Sequence, residues 1–166
     1  MDISLNWTLK SDPDEVYDDA IKTEYQDDIC QNAGALSYNS SVVEKGPGHQ
    51  VTVQRVMPSG DVPDLLKKLV GDKVDVTQVI TWGERQADGS RTGTVEVTMK
   101  GQPITMKGTT SIAPEGTGSR VGVKADLKAK LPLIGGKIEK MAAPEILNAI
   151  KAEEETSHQW DDRKHP

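Results

Sequence analysis

"KLPLIGGKIEKMAAPEILNAIKAEEETSHQW" (residues 130–160) starts as the end of a strand and finishes as the longest helical pattern in the chain. Alternation stops at Leu131, and Pro132, which lacks a backbone donor, ends strand pairing. Gly135 and Gly136 follow. The reading puts a hinge there, because glycine permits the backbone angles that a sharp reversal requires. Ile138, Met141, Ala142, Ile146, Ala149 and Ile150 then recur at three- and four-residue steps, which line up on one face of a helix. The predicted helix runs from about Gly136 to about Trp160. A kink is expected near Ala143, since Pro144 removes a donor and crowds the preceding turn. Beyond Ile150 the stripe turns polar at Glu153 and Ser157. The acidic "KAEEETSHQWDDRK" therefore reads as a solvated helix end with a frayed tail.

Upstream, almost everything reads as strand. "ISLNWTL" alternates strictly, with Ile3, Leu5, Trp7 and Leu9 on one face. Asp12, Pro13, Asp14 and Glu15 form a helix start, giving a short helix over about 13–21. A second helix covers "TEYQDDICQN" and stops at Gly34. From residue 35 the period is two. "ALSYNSSVVEK" and "HQVTVQRVM" flank "GPG" as a hairpin. A two-turn helix over 63–70 carries the stripe Leu65, Leu66, Leu69 and Val70. Four long alternating segments follow, from "KVDVTQVITWGE" to "RVGVKADLKAKL", with turn residues at each junction. Seven strands joined mainly by short turns predict an antiparallel sheet with one face in water. The other face needs a cover, and the terminal helix supplies it.

The bulk composition excludes several classes. A chain of 166 residues suits one domain and buries a core without staples. Its net charge of −6 argues against a general nucleic-acid binder and against docking on an anionic membrane face. Cys30 is the sole cysteine, so no intrachain disulfide forms. No signal-peptide pattern opens the sequence, and no apolar run nears the roughly 20 residues of a spanning helix, so stable membrane insertion is not expected. The expectation is a cytoplasmic protein. Phenylalanine is absent and five methionines are present, which points to an adaptable interior.

This order of elements resembles the START-like, polyketide-cyclase-like helix-grip superfamily (SRPBCC-type). There a curved seven-stranded antiparallel sheet grips a long C-terminal helix, and two short helices lie between the first two strands. "CQNAGALSY", "PDLLKKLVGD", "TWGERQADGSRTGTVEV" and "LPLIGGKIEKMAAP" resemble, more narrowly, a bacterial domain family of unknown function within it. The resemblance implies an α+β helix-grip domain over residues 1–160, with 161–166 as a tail. It also implies a hydrophobic cavity between sheet and helix, used in the superfamily for lipids, hormones, aromatic polyketides or quinone-like molecules.

Candidate site residues are those on the inward face. Trp7 lies on the first strand, and Tyr38 on the second. Val53, Arg55 and Met57 share a parity with Val51, which sets a guanidinium among apolar neighbours. Such a group needs a partner: an anionic ligand, a structural carboxylate, or a bulge that turns it outward. On the next strand Gln78 is placed to orient a polar ligand group. Trp82 is placed either to stack on a ring or to pack in the core. Met99, Met106 and Met141 read as a soft wall or as ordinary filler. Thr110 interrupts an apolar face, to meet a ligand or a local backbone group. No histidine pair has metal-ligand spacing, no cofactor motif is present, and Cys30 reads as a small buried hydrophobe.

The reading favours a binding or carrier protein for a small hydrophobic or amphipathic molecule over an enzyme. A cyclase- or hydrolase-type enzyme on the same fold would need an acid or base in the cavity, and Tyr38, Arg55 and Glu153 are the candidates. A protein–protein adaptor would instead show a filled core and an apolar surface patch. Edge-strand dimerisation is compatible with the pattern but not demanded by it.

Overall fold

The computed structural model describes residues 1–166. Strand β1 (Asp2–Leu9) is followed by helices α1 (Pro13–Ala20) and α2 (Thr23–Asn32), then by the hairpin β2 (Ser37–Lys45) and β3 (Gly48–Pro58). Helix α3 (Asp64–Val70) leads to β4 (Lys73–Trp82), β5 (Arg91–Met99), β6 (Ile104–Glu115), β7 (Gly118–Ala129) and α4 (Gly135–Lys164). The seven strands form one antiparallel sheet in the order β1-β7-β6-β5-β4-β3-β2. Each strand pairs with its sequence neighbour except β1, which closes the far edge against β7.

Local chemistry explains the elements. Asp12 accepts from the Glu15 N–H at 2.9 Å, and Glu15 Oε1 accepts from the Asp12 N–H at 3.3 Å. This capping box, with Pro13 in the first turn, fixes the start of α1 and is worth about 1 kcal/mol. The β2–β3 turn is made at Gly46, whose φ of 55° suits glycine. In β3, Val51, Val53 and Arg55 are buried while Gln54 is exposed, so the strand alternates without a bulge at Arg55. The outer face carries exposed Asn6, Lys107, Thr109 and Lys124, and the inner face holds the core beneath α4.

The terminal helix departs from its expected course in three ways. It begins at Gly135 and continues through Pro144 to Lys164, beyond Trp160. The sharp reversal before it falls on Leu133, at φ 69°, and neither Gly135 nor Gly136 has a positive φ. Gly135 serves close approach: a Cβ there would stand 2.5 Å from the Ala129 carbonyl oxygen. Nor is the acidic end wholly solvated. Thr156 and Asp161 are buried, and Asp161 accepts from the Lys10 and Ser11 backbone N–H groups at 2.8 and 2.9 Å and from the Ser11 hydroxyl. Asn32 donates to Thr156 at 2.7 Å, and Trp160 Nε1 donates to Asp28 at 2.8 Å. Both ends of α4 are therefore tied down, one to the end of β7 and the other to α2 and the β1–α1 junction.

A candidate ligand chamber beneath the terminal helix

Between α4 and strands β3 to β6 lies a cavity of about 130 Å³. Apolar cavities of about 150 Å³ hold a benzene-sized guest. Val76, Val97, Met99, Ile104 and Met106 rise from the sheet as its floor. Ala142, Ile146, Ala149 and Ile150 form the roof, and Leu66 and Val70 of α3 close one side. The space survives because alanines face it from α4, where larger side chains would meet the sheet. Val62 and Glu145 line both the chamber and an adjoining surface groove with Lys137, Lys140 and Met141, so the way out passes between the 61–63 loop and α4.

Apart from the exposed Glu145, four polar side chains interrupt the apolar lining: Arg55, Gln78, Glu153 and Ser59, whose hydroxyl donates to the Gly71 carbonyl. Arg55 is 8% exposed, and its Nε is fully buried with no hydrogen-bond partner. No carboxylate forms an ion pair with its guanidinium within 4.0 Å. Glu153 faces it from α4. Burial pushes the Glu153 carboxyl up to about 7, and the Arg55 charge draws it part of the way back. Beside Arg55, burial likewise raises the Cys30 thiol, with Arg55 opposing. The Tyr25 phenol is pushed well above its ordinary value by desolvation and, next, by the Glu153 carboxylate. No group of three or more His, Cys, Asp or Glu side chains converges as a metal site.

The structure brings Arg55, Met57, Gln78, Met99 and Met106 together around this space. The other candidates lie elsewhere. Val53 is buried in solid core, one inward step along β3. Trp7 stands on the edge strand β1, opposite Val121 and away from the chamber floor. Trp82 packs edge-on against Tyr17, ring centroids 5.7 Å apart, and so takes the core role. Tyr38 pairs across from Arg55, but it is 37% exposed and its hydroxyl accepts from Gln31 at 2.7 Å. Thr110 is buried outside the lining, and Met141 borders only the outer groove. Sequence reading missed Ile29, Val62 and Leu66 as wall residues, and held Glu153 only as a weak catalytic candidate. Its signal was present: Glu153 continues the apolar stripe three residues after Ile150 and seven after Ile146.

A family model described as "Protein of unknown function (DUF2505)" matches residues 5–160. Curated relatives include "Uncharacterized protein Rv0481c" of Mycobacterium tuberculosis and "Uncharacterized protein Mb0491c" of Mycobacterium bovis. Each is 27% identical over 112 residues, covering 66% of this chain and 63% of the relative. The match thus spans less than two thirds of those relatives' length. Among solved structures, the Zhui aromatase/cyclase from Streptomyces sp. R1128 superposes with a TM-score of 0.66 at 11% identity, covering 100% of this chain and 96% of the other. Norcoclaurine synthase of Thalictrum flavum gives 0.62 at 10% identity, with coverage of 100% and 96%. A STAR-related lipid transfer protein from Xanthomonas axonopodis gives 0.54 at 17% identity, with coverage of 94% and 85%. At such identities the likeness is one of fold, the helix-grip fold.

Proposed function

The chain belongs to the DUF2505 family, with the helix-grip fold of the START-like superfamily, and we propose that it is a binding or carrier protein for a small hydrophobic or amphipathic ligand. The observation that carries this is the unfilled apolar chamber under α4 with a buried guanidinium on its wall, its Nε without a hydrogen-bond partner and no carboxylate within 4.0 Å. A protein that needed only a stable core would gain from filling that space with methyl groups and from replacing Arg55. Apolar ligand surface entering it leaves water with a gain of about 25 cal/mol per Å². Neighbours of this fold include a lipid transfer protein and an aromatase/cyclase, so the fold accommodates both carriage and chemistry. Native mass spectrometry of purified protein, followed by titration with a panel of lipids and small aromatics, tests the reading. A copurified or titrated small molecule supports it. An empty protein with no affinity across the panel refutes it.

One observation favours a second reading, acid–base catalysis on a molecule held in the same chamber. A carboxyl near 7 inside an apolar pocket has the proton affinity of a general acid or base at neutral pH. Incubation of a bound ligand with native protein and with Glu153→Gln separates the two. Turnover lost in the variant supports catalysis, and recovery of unchanged ligand from both supports carriage.

A further inference from the structure

The chamber holds one charge, the Arg55 guanidinium, that no carboxylate within 4.0 Å pairs with and whose Nε has no hydrogen-bond partner. A guanidinium keeps its charge in proteins, and one that is buried without a hydrogen-bonded anion is costly. Arg55 is more than nine-tenths buried, lines the cavity and leaves its Nε unpartnered. Glu153, the acid nearest in effect, lines the same space without closing onto it. A fork of N–H donors opposite a carboxyl, with apolar walls around them, is the surface expected for an anionic head on an apolar body.

We propose that the chamber selects a small anionic amphiphile, a carboxylate or a group of like charge, whose head pairs with Arg55 while Glu153 takes up a proton. This rests on the binding reading above and narrows it to a ligand class. With no ligand, a charged Glu153 offsets Arg55 across the cavity. An incoming anion neutralises Arg55 and places a like charge near Glu153, and both effects favour the protonated carboxyl. Binding is then linked to proton uptake, so affinity for the anion falls as pH rises through neutrality.

The other groups around Glu153 do not supply this behaviour. From α2 come Tyr25 and Cys30, whose protonated, neutral forms burial favours. From α3 come the apolar Leu66 and Val70, from β4 the uncharged Gln78, and from β5 and β6 only apolar lining. The inward residues of β1 and β7 are apolar apart from Ser119. On α4 itself Glu145 stands at the exposed mouth.

The test is an NMR titration at pH 6 and pH 8 with two probes of similar shape. Benzenesulfonate stays anionic at both values, and benzenesulfonamide stays neutral. If a bound anion raises the Glu153 proton affinity tenfold, benzenesulfonate binds about fivefold more weakly at pH 8 than at pH 6. Benzenesulfonamide binds equally at both. In Glu153→Gln the affinity for benzenesulfonate no longer changes between pH 6 and pH 8. Arg55→Met loses benzenesulfonate and keeps benzenesulfonamide, and the native protein and Glu153→Gln decide the matter without it. Benzenesulfonate binding that is flat with pH, or a pH dependence that survives in Glu153→Gln, overturns the proposal and leaves the binding reading standing. So does entry of the neutral probe alone. If neither probe enters the chamber at either pH, the proposal falls, and the panel titration above decides the binding reading separately.

Discussion

At the scale of single residues, Arg55, Glu153 and Asp161 show how burial and partners decide a charge's effect. Arg55 is buried with no carboxylate within 4.0 Å, so Arg55→Met should raise stability against unfolding by about 1–2 kcal/mol, read by urea denaturation. A loss of stability would mean that Arg55 has a structural partner. Glu153 binds its proton more tightly folded than unfolded. Its contribution is therefore complete below the ordinary carboxyl range and declines as pH rises through about 7. From pH 5 to pH 8 the native protein should lose on the order of 2–3 kcal/mol that Glu153→Gln keeps. Asp161 has the opposite sign. Desolvation pushes its carboxyl up, but its bonds from Ser11 and from the Lys10 and Ser11 backbone N–H groups outweigh that and hold it below the usual range. Asp161→Ala should cost about 2–3 kcal/mol at pH 7, and the gap to native protein should narrow below about pH 4 as the carboxylate is protonated. The inward parity of Arg55 was legible in β3. Its lack of a partner was not, because Glu153 is 98 residues away in sequence and strand parity says nothing about which carboxylate approaches.

At the scale of elements, the β7–α4 junction separates two roles that a Gly-Gly pair does not distinguish in sequence. Gly135→Ala would set a methyl 2.5 Å from the Ala129 carbonyl oxygen and should destabilise by about 1–3 kcal/mol. At Gly136 nothing lies within 4 Å, so Gly136→Ala should stabilise by about 0.5–1 kcal/mol through helix propensity. Leu133→Gly should also stabilise, by roughly 1 kcal/mol, because Leu133 is fully exposed and carries the left-handed backbone at φ 69°. Melting curves of the three variants check all of these signs. Periodicity placed α2 at Thr23–Asn32 and α3 close to Asp64–Val70, since local pattern and punctuation govern where an element lies. It could not say that Asp161 would be drawn into a buried cap, because the donors come from the β1–α1 junction.

At the scale of the whole molecule, the property that matters is the gap between two layers. Ala149→Phe should place a ring in that gap, lower affinity for any chamber ligand at least tenfold, and add about 1–2 kcal/mol of stability by apolar burial. Titration and denaturation of the same variant read both effects. Alternation by twos, turn residues at fixed intervals and one amphipathic helix at the end were enough, by themselves, to determine an antiparallel sheet covered by α4. Each is a short-range pattern that only one layered arrangement satisfies. The sequence also determined which face of each strand points inward, because side chains in a strand alternate. Only the tertiary structure decided which inward residues meet empty space and which meet each other. Trp82 went to Tyr17, while Arg55 and Glu153 were left facing across a cavity. Free volume and the neutralisation of a buried charge depend on distances between elements far apart in the chain, which no local pattern encodes.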